Sequence, residues 1–293
     1  MATTEHPTSG HVVVGVDAAE SNVSALKWAA DQAARSGSSL RLVYVINTSL
    51  LDSPYYSRSD LDRFVTTLMS RARAVAEEEH PHLEVHSEVV RGLPRSQLVD
   101  TSNGASILVV GRRGRGTFGE LLLGSVALSV ATHSTVPTAV IPHVWDQEAF
   151  CSDPVVVGVD ENGASEDALG FAFETARQRD VPLHAVQVVP SGEDFLRMAP
   201  AVIEPSDDDA NAVSALETAT ERWRKKYPDV RLTCRPEWGH PVRALVDESV
   251  SAQMVILGGS RHGRLSAPLL GSVQHGVLHH AHCPVVVVHA DRS

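Results

Sequence analysis

The chain is written twice. Ile107 to Val126, ILVVGRRGRGTFGELLLGSV, returns near the other end as VILGGSRHGRLSAPLLGSV over Val255 to Val273. Gly111 and Gly258, Gly124 and Gly271, and Pro137 and Pro284 all stand at one constant interval. Upstream, VVVGVD ending at Asp17 recurs as VVVGVD ending at Asp160, at a slightly shorter interval. The period is several times the ~20–50 residues of a solenoid unit, so it marks two domains in tandem and not a superhelical array. Half of 293 residues also suits one ordinary domain of ~100–200 residues. The expected domains are residues 1–145 and 153–293, joined by VWDQEAFCSD over Val144 to Asp153. A linker this short implies domains that pack together instead of tumbling independently.

Charge narrows the partners. A formal net charge of −11 opposes nucleic-acid binding, which draws its affinity from a concentrated basic face. The first ten residues, MATTEHPTSG, have neither the basic nor the apolar segment of a leader, and no apolar run approaches the ~18–20 residues that span a bilayer. A soluble cytoplasmic protein, not attached to a membrane, is the expectation. Cys151, Cys234 and Cys283 are odd in number and widely spaced, which suits a reducing compartment better than a disulfide framework.

Within the first copy, short β-branched runs (HVVVGVD, LRLVYVI, LEVHSEVV, SILVVG, TAVIP) alternate with longer stretches of helical apolar spacing. That alternation predicts a parallel sheet with helices on both faces. The first helix should begin near Glu20 to Ser24, carry Leu26, Ala29, Ala30 and Ala33 inward, and end at Ser36-Gly37, where glycine can take the left-handed cap. Its counterpart runs from about Ser165 through Phe171 and Phe173. Arg58 to Glu79 makes a second helix, stopped by Pro81. Pro94 to Ser102 makes a third, entered through Arg91-Gly92-Leu93 and repeated in the second copy as Gly239-His240-Pro241-Val242. The stretches Ser49 to Asp60 and Ser191 to Ala210 are the least alike; the latter, rich in proline and acid, reads as a mobile loop or lid.

The turn after Val110 carries the chemistry. Gly111, Gly114, Gly124 and Ser125 lie between a buried strand and a helix. There, glycines let backbone N–H groups approach an anion, and the helix N-terminus adds its dipole and a hydroxyl. Arg112, Arg113 and Arg115 add guanidinium groups, which can chelate phosphate oxygens through paired hydrogen bonds. The pattern is neither GxxxxGK[ST], since no lysine follows, nor the dinucleotide GxGxxG, which follows the first strand of its unit. A glycine-rich surface turn without a ligand is the plain alternative; duplication in a strand–turn–helix context weighs against it.

On these residues the chain resembles a tandem universal stress protein of the ATP-binding type. That family's Gly-2x-Gly-9x-Gly-Ser/Thr motif is met by Gly111, Gly114, Gly124 and Ser125, and Val14 to Asp17 and the late VPTAVI also match. The resemblance covers nearly the whole of both halves. It implies an α/β fold of two Rossmann-like domains, each an open five-stranded parallel sheet of order 3-2-1-4-5, with ATP over the carboxyl ends of strands one and four. Strand order reverses there, as it does at the ligand sites of open α/β sheets generally. Carried over by position, Gly15 and Asp17 would border the nucleoside and Val45 would offer backbone groups to adenine. Gly111, Arg112, Arg113, Gly114, Arg115, Gly116, Thr117, Gly124, Ser125 and Val126 would hold ribose and phosphates. The second set is Gly158, Asp160, Val188, Gly258, Gly259, Ser260, Arg261, His262, Gly263, Arg264, Gly271, Ser272, Val273 and Gln274. The implied ligand is ATP with Mg²⁺. The resemblance further implies pairing of the last strands of the two halves as an internal dimer, a homodimer of such chains, and a regulatory protein partner.

The second copy departs from the motif where Arg261 stands in place of Gly114; Gly259 and Gly263 could supply the flexibility and Arg261 with Arg264 could still meet phosphate. Asp17 and Asp160 admit a catalytic reading, a slow ATPase or phosphate-transferring enzyme with Mg²⁺, or a duller one as helix cap or nucleoside contact. Of the parts that phosphoryl transfer requires, only the cationic clamp is visible, which favours a binding protein that senses or is switched by ATP. An interaction scaffold with vestigial turns is the third reading, opposed by the arginines beside both turns. His275, His279, His280 and His282 beside Cys283 read as a solvated helix end before a metal site, lacking a closed ligand set. Trp223 to Tyr227 reads as an amphipathic helix face before a nucleic-acid patch.

Overall fold

The computed structural model describes residues 10–17, 22–48, 58–112, 123–160, 166–189, 207–259 and 270–289. The chain divides into two compact units, Met1–Asp146 and Gln147–Ser293. Unit 1 runs β1 (Val12–Val16), α1 (Asn22–Ser36), β2 (Leu40–Asn47), α2 (Arg58–Glu79), β3 (Val85–Gly92), α3 (Pro94–Thr101), β4 (Ile107–Gly111), α4 (Ser125–His133) and β5 (Thr138–Ile141). Unit 2 runs β6 (Val155–Val159), α5 (Glu166–Arg179), β7 (Leu183–Val189), α6 (Asp207–Lys226), β8 (Leu232–Trp238), α7 (Pro241–Glu248), β9 (Met254–Gly259), α8 (Ser272–His280) and β10 (Val285–His289).

Every strand pairing within a unit is parallel. The order is β3-β2-β1-β4-β5 in unit 1 and β8-β7-β6-β9-β10 in unit 2, so each is the 3-2-1-4-5 arrangement that the resemblance implies. In unit 1, α1 packs with α2 and α3 with α4, and unit 2 repeats this with α5 and α6, α7 and α8. Covering both faces of the sheet explains why VVVGV in β1 and again in β6 is an unbroken apolar run: its valines are all buried. The first strand of each copy is thus the centre of its sheet, and its carboxyl end adjoins that of the fourth.

The sequence signals act through local backbone chemistry. Leu26, Ala29, Ala30 and Ala33 are buried with Ala25 and Trp28 along the inward stripe of α1. Gly37 at φ +63° ends that helix: its N–H donates to Ala34 O at 3.2 Å and the Ser38 N–H to Ala33 O at 2.9 Å, which satisfies two terminal carbonyls. α5 ends in the same geometry with Asp180 at φ +53°, a non-glycine in the left-handed region. Phe173 is fully buried, whereas Phe171 is half-buried.

One expectation is corrected. The acidic stretch read as loop through Ala210 is already helical from Asp207, because carboxylates favour the positive end of a helix; residues 190–206 lie outside the described residues. The Trp223 segment is amphipathic: Trp223 is buried, stacking on Phe173 at 6.4 Å and on Tyr227 at 6.2 Å, while Arg224, Lys225 and Lys226 are exposed, with Lys226 Nζ over the Trp223 and Tyr227 rings. No helix among the described residues is long and apolar enough to cross a membrane.

Candidate functional site

All five strands of a unit end on the same side, and there the sequence-predicted residues gather. In unit 1, β1 lies beside β4, with Val14 opposite Val109, so Gly15 and Asp17 end next to Gly111 and Arg112. The chain leaving β4 is fixed at both ends of the glycine turn. Arg112 N–H donates to Ile141 O at 2.7 Å, and the Gly124 N–H returns to Arg112 O at 2.8 Å. Gly124 is the N-cap of α4 in extended conformation, and its carbonyl accepts the first helical bond from Leu128 N–H at 3.0 Å. A glycine cap has no side-chain oxygen for the first amides of the helix, and Ser125 is exposed in its first turn. The intervening Arg113, Gly114, Arg115, Gly116 and Thr117 lie outside the described residues. What the described geometry establishes is that Gly111-Arg112 and Gly124-Ser125-Val126 meet at one point, beside the end of β1.

Asn22 is a residue that the sequence reading missed. Only 3% exposed, it donates from Nδ2 to Gly15 O at 3.1 Å and accepts from the Asp17 N–H through Oδ1 at 3.3 Å. It thereby clamps the turn from β1 into α1 and holds the backbone of Asp17 at the strand end. Val45, two residues before the end of β2, is buried and paired with Val90.

Gly15 has a packing reason to be glycine. A β-carbon there would sit 3.2 and 3.3 Å from the Leu98 methyl carbons, so α3 lies close enough to β1 that Leu98 would have to shift by a few tenths of an ångström to admit one. At Gly158 the tight neighbour is Leu257 of the adjacent strand, 3.0 Å from a β-carbon, while Leu245 of the helix is in ordinary contact at 3.5 Å.

In unit 2 the corresponding point is formed by Gly158 and Asp160 at the end of β6, Gly258 and Gly259 at the end of β9, and Gly271, Ser272 and Val273 entering α8. Val188 occupies the second-last place of β7. Ser260, Arg261, His262, Gly263 and Arg264 lie outside the described residues. Here Gln274 crosses the turn, donating from Nε2 to Gly258 O at 2.6 Å. Further along α8, the His275 and His279 rings stand 4.6 Å apart on one face and Cys283 is buried. Among the described residues, no group of three or more His, Cys, Asp or Glu side chains is placed to hold a metal ion.

Two Rossmann-like domains, each bringing both ends of its glycine-rich segment to the point where its strand order reverses, define a tandem α/β protein of the stress-protein architecture. The profile of the universal stress protein family matches residues 8–142 and again 152–289, and the chain belongs to that family. The universal stress protein Rv2005c of Mycobacterium tuberculosis is 33% identical over 294 residues, covering 94% of this chain and 96% of the relative. A universal stress protein of Mycolicibacterium smegmatis is 32% identical over 286 residues with the same coverage. A universal stress protein structure from Archaeoglobus fulgidus superposes with a TM-score of 0.72 at 20% identity, over 98% of this chain and 99% of that one, a likeness of fold.

Proposed function

We propose that the chain is an ATP-binding regulatory protein of stress responses, with one nucleotide site in each of the domains 1–145 and 153–293, acting as an ATP-dependent sensor or switch. The observation that carries the reading is the backbone tie between Gly124 N–H and Arg112 O, which brings both ends of the Gly-2x-Gly-9x-Gly-Ser motif to the start of α4 beside β1. Amides at a helix N-terminus, a cationic side chain and flexible glycines are the chemistry that holds phosphates. Asp17 and Val45 would face the nucleoside and adenine, with Arg113, Gly114, Arg115, Gly116 and Thr117 on the phosphates. Unit 2 uses Asp160, Val188, Gly258 to Arg264 and Gly271 to Gln274 in the same roles. Mg²⁺ would arrive on the nucleotide's own phosphates, as this ion commonly does. A homodimer and a regulatory protein partner belong to the same proposal.

The test is to purify the chain without added nucleotide, denature it and identify any adenine nucleotide released, then titrate ATP into the emptied protein. Binding that falls in Gly111→Ala is the expected result. No nucleotide released and none bound would overturn the reading, whereas turnover abolished by Asp17→Ala with binding intact would make the chain an enzyme.

A further inference from the structure

The outer edges of the two units differ at one residue. Unit 1 ends on β3 and unit 2 on β8, and among the described strands each has a neighbour on one side only, β2 and β7 respectively. The Leu40 N–H donates to Glu84 O at 2.9 Å and Leu40 stands opposite Val85, so the backbone groups of His86, Glu88 and Val90 turn toward β2. Those of Val85, Ser87, Val89 and Arg91 turn outward, since the peptide groups of a strand alternate in direction. In β8 the Leu183 N–H donates to Arg231 O at 2.9 Å, which turns the groups of Leu232, Cys234, Pro236 and Trp238 outward. Val89 and Pro236 are each the fifth residue of their strand. Proline has no N–H to offer and is tolerated on the outward side of an edge, so the middle of β8 is closed to a further strand. The middle of β3 is open, and Val89 is 45% exposed. Tyr44, opposite Val89 in β2, meets Phe64 of α2 edge-on at 6.5 Å, and Phe64 is half-exposed, so apolar surface reaches the open edge. The residue opposite Pro236 in β7 is Gln187.

We infer that β3 is an interaction edge whose occupant is β3 of a second copy of the chain, paired antiparallel about a twofold axis at Val89. A second copy fits because the edge is complementary to itself in one register. Outward residues must face outward residues, so the partner strand slides only in steps of two. At this register Val89 faces Val89, Ser87 faces Arg91, Glu88 faces Val90 and His86 faces Gly92, so no like charges stand directly opposite. A slide of two residues one way sets Glu88 against Glu88; the other way sets Val89 against Arg91, an apolar side chain against a charge. Glu88 keeps its ion pair with Arg41 of its own chain at 3.8 Å. Pro236 gives the difference between the edges a consequence. A chain with two open edges adds copies without end, whereas one open and one closed edge stops at two. The inference deepens the homodimer of the proposed function by naming its surface, and it rests on that part of the reading and not on nucleotide binding.

Sedimentation equilibrium of the full chain, with and without ATP, tests this. The wild type should be a dimer in both. Val89→Pro should weaken the dimer about a hundredfold, because it removes two symmetry-related N–H donors worth about tenfold each. The Val89 N–H takes no part in the ladder with β2, so unit 1 keeps its own pairing. Val89→Lys keeps the N–H, sets two ammonium groups opposite each other and should also give a monomer. In a chain carrying Cys151→Ser and Cys234→Ser, Val89→Cys should be joined to its copy by a short bis-maleimide. Ser87→Cys should not, its two copies lying about 14 Å apart along the strands. A monomeric wild type would overturn the inference even if the edge took a strand from another protein. A dimer left intact by both Val89→Pro and Val89→Lys, or cross-linked through Ser87→Cys instead of Val89→Cys, would overturn it as well. A chain that dimerises through Val89 and binds no ATP would overturn the nucleotide reading alone.

Discussion

Leu98 on α3 rests its two methyl groups against the Cα of Gly15 in β1, at distances where a β-carbon would have 3.2 and 3.3 Å contacts, with Val110 Cγ1 at 3.4 Å. In the second unit Leu245 occupies the matching place over Gly158 in ordinary contact at 3.5 Å, and the crowding comes instead from Leu257 at 3.0 Å. A glycine assigned by motif to a nucleotide's border is therefore also the place where a helix meets the central strand.

Gly15→Ala should destabilise the protein by about 1 kcal/mol and Gly158→Ala by somewhat more, because Leu257 stands 3.0 Å from the added carbon where Leu98 stands at 3.2 Å, and both leucines are buried. Urea unfolding of both variants checks this. A double-mutant cycle of Gly15→Ala with Leu98→Ala should show a favourable coupling, since the smaller side chain relieves the contact. Unchanged stability together with lost ATP binding would instead make the glycine a ligand contact first.

Much of this architecture is legible in the sequence because the deciding interactions are local. The boundaries of α2 follow from apolar spacing and Pro81, and α3 and α7 each open on the proline at their first position. Gly37 closes α1 because only the backbone conformation at that residue matters. The features that escaped depend on residues brought together by the fold. Asn22 stands among several polar residues that could cap α1, and it is the position of the Gly15 carbonyl, set by the sheet, that selects it. Gln274 is named as a site residue from its place in the repeat, but its bond to the Gly258 carbonyl at 2.6 Å is visible only once another element is placed beside it. The start of α6 escaped for a different reason: aspartates lower helix propensity in an interior but favour an N-terminus, and the sequence does not say which applies until the helix has a beginning.

Asp180 and Gly37 perform one task with unequal ease. Asp180 holds φ +53° while its N–H reaches Arg177 O at 3.3 Å and the Val181 N–H reaches Ala176 O at 3.1 Å. Its β-carbon strains the left-handed backbone and its carboxylate faces the negative end of α5. Asp180→Gly should stabilise unit 2 by about 0.5 kcal/mol, and Gly37→Ala should cost unit 1 about 1 kcal/mol. Nothing lies within 4 Å of a β-carbon built on Gly37, so the second effect is purely conformational. Shifts of the urea midpoint in the two opposite directions would bear this out; a shift of the same sign in both would refute it.

Gly170 in α5 tests packing against propensity. In an exposed helix interior, Gly→Ala gains about 1 kcal/mol. Here the indole of Trp223 lies over the glycine, with Cζ2 and Cζ3 at 2.8 and 3.1 Å from a β-carbon and Cη2 overlapping it. The ring is buried and stacked on Phe173, so it has little freedom to withdraw. Gly170→Ala should be net destabilising by about 1–3 kcal/mol and should change the near-ultraviolet circular dichroism of the aromatic stack. Trp223→Leu introduced with it should recover part of the loss, and a stabilised single variant would show that the indole moves aside.

The same stack gives unit 2 a defined alkaline limit. Burial pushes the Tyr227 phenol up to about 12, and the negative charge of Glu174 and the hydrogen bond that Tyr227 donates to it act in the same direction. Burial opposes ionisation of Glu174, yet hydrogen bonds from Arg177 at 2.6 Å and Gln178 at 2.8 Å, with the Arg177 charge, hold its carboxyl below the usual range. A phenol whose folded pKa is raised keeps its stabilising effect below the unfolded value near 10 and loses it as pH climbs toward 12, because the unfolded chain releases its proton first. For Glu174 the sign is reversed: its contribution is present above its ordinary value of 4.5 and is lost as pH falls through the depressed one. Unfolding free energy measured against pH should therefore decline at both ends, and phenolate absorbance should include a late step near 12 that belongs to Tyr227. Glu174→Gln should bring that late step down toward the ordinary range and remove part of the acid loss. A Tyr227→Phe variant that left the late absorbance step in place would assign it to another tyrosine and remove this account of the alkaline limit.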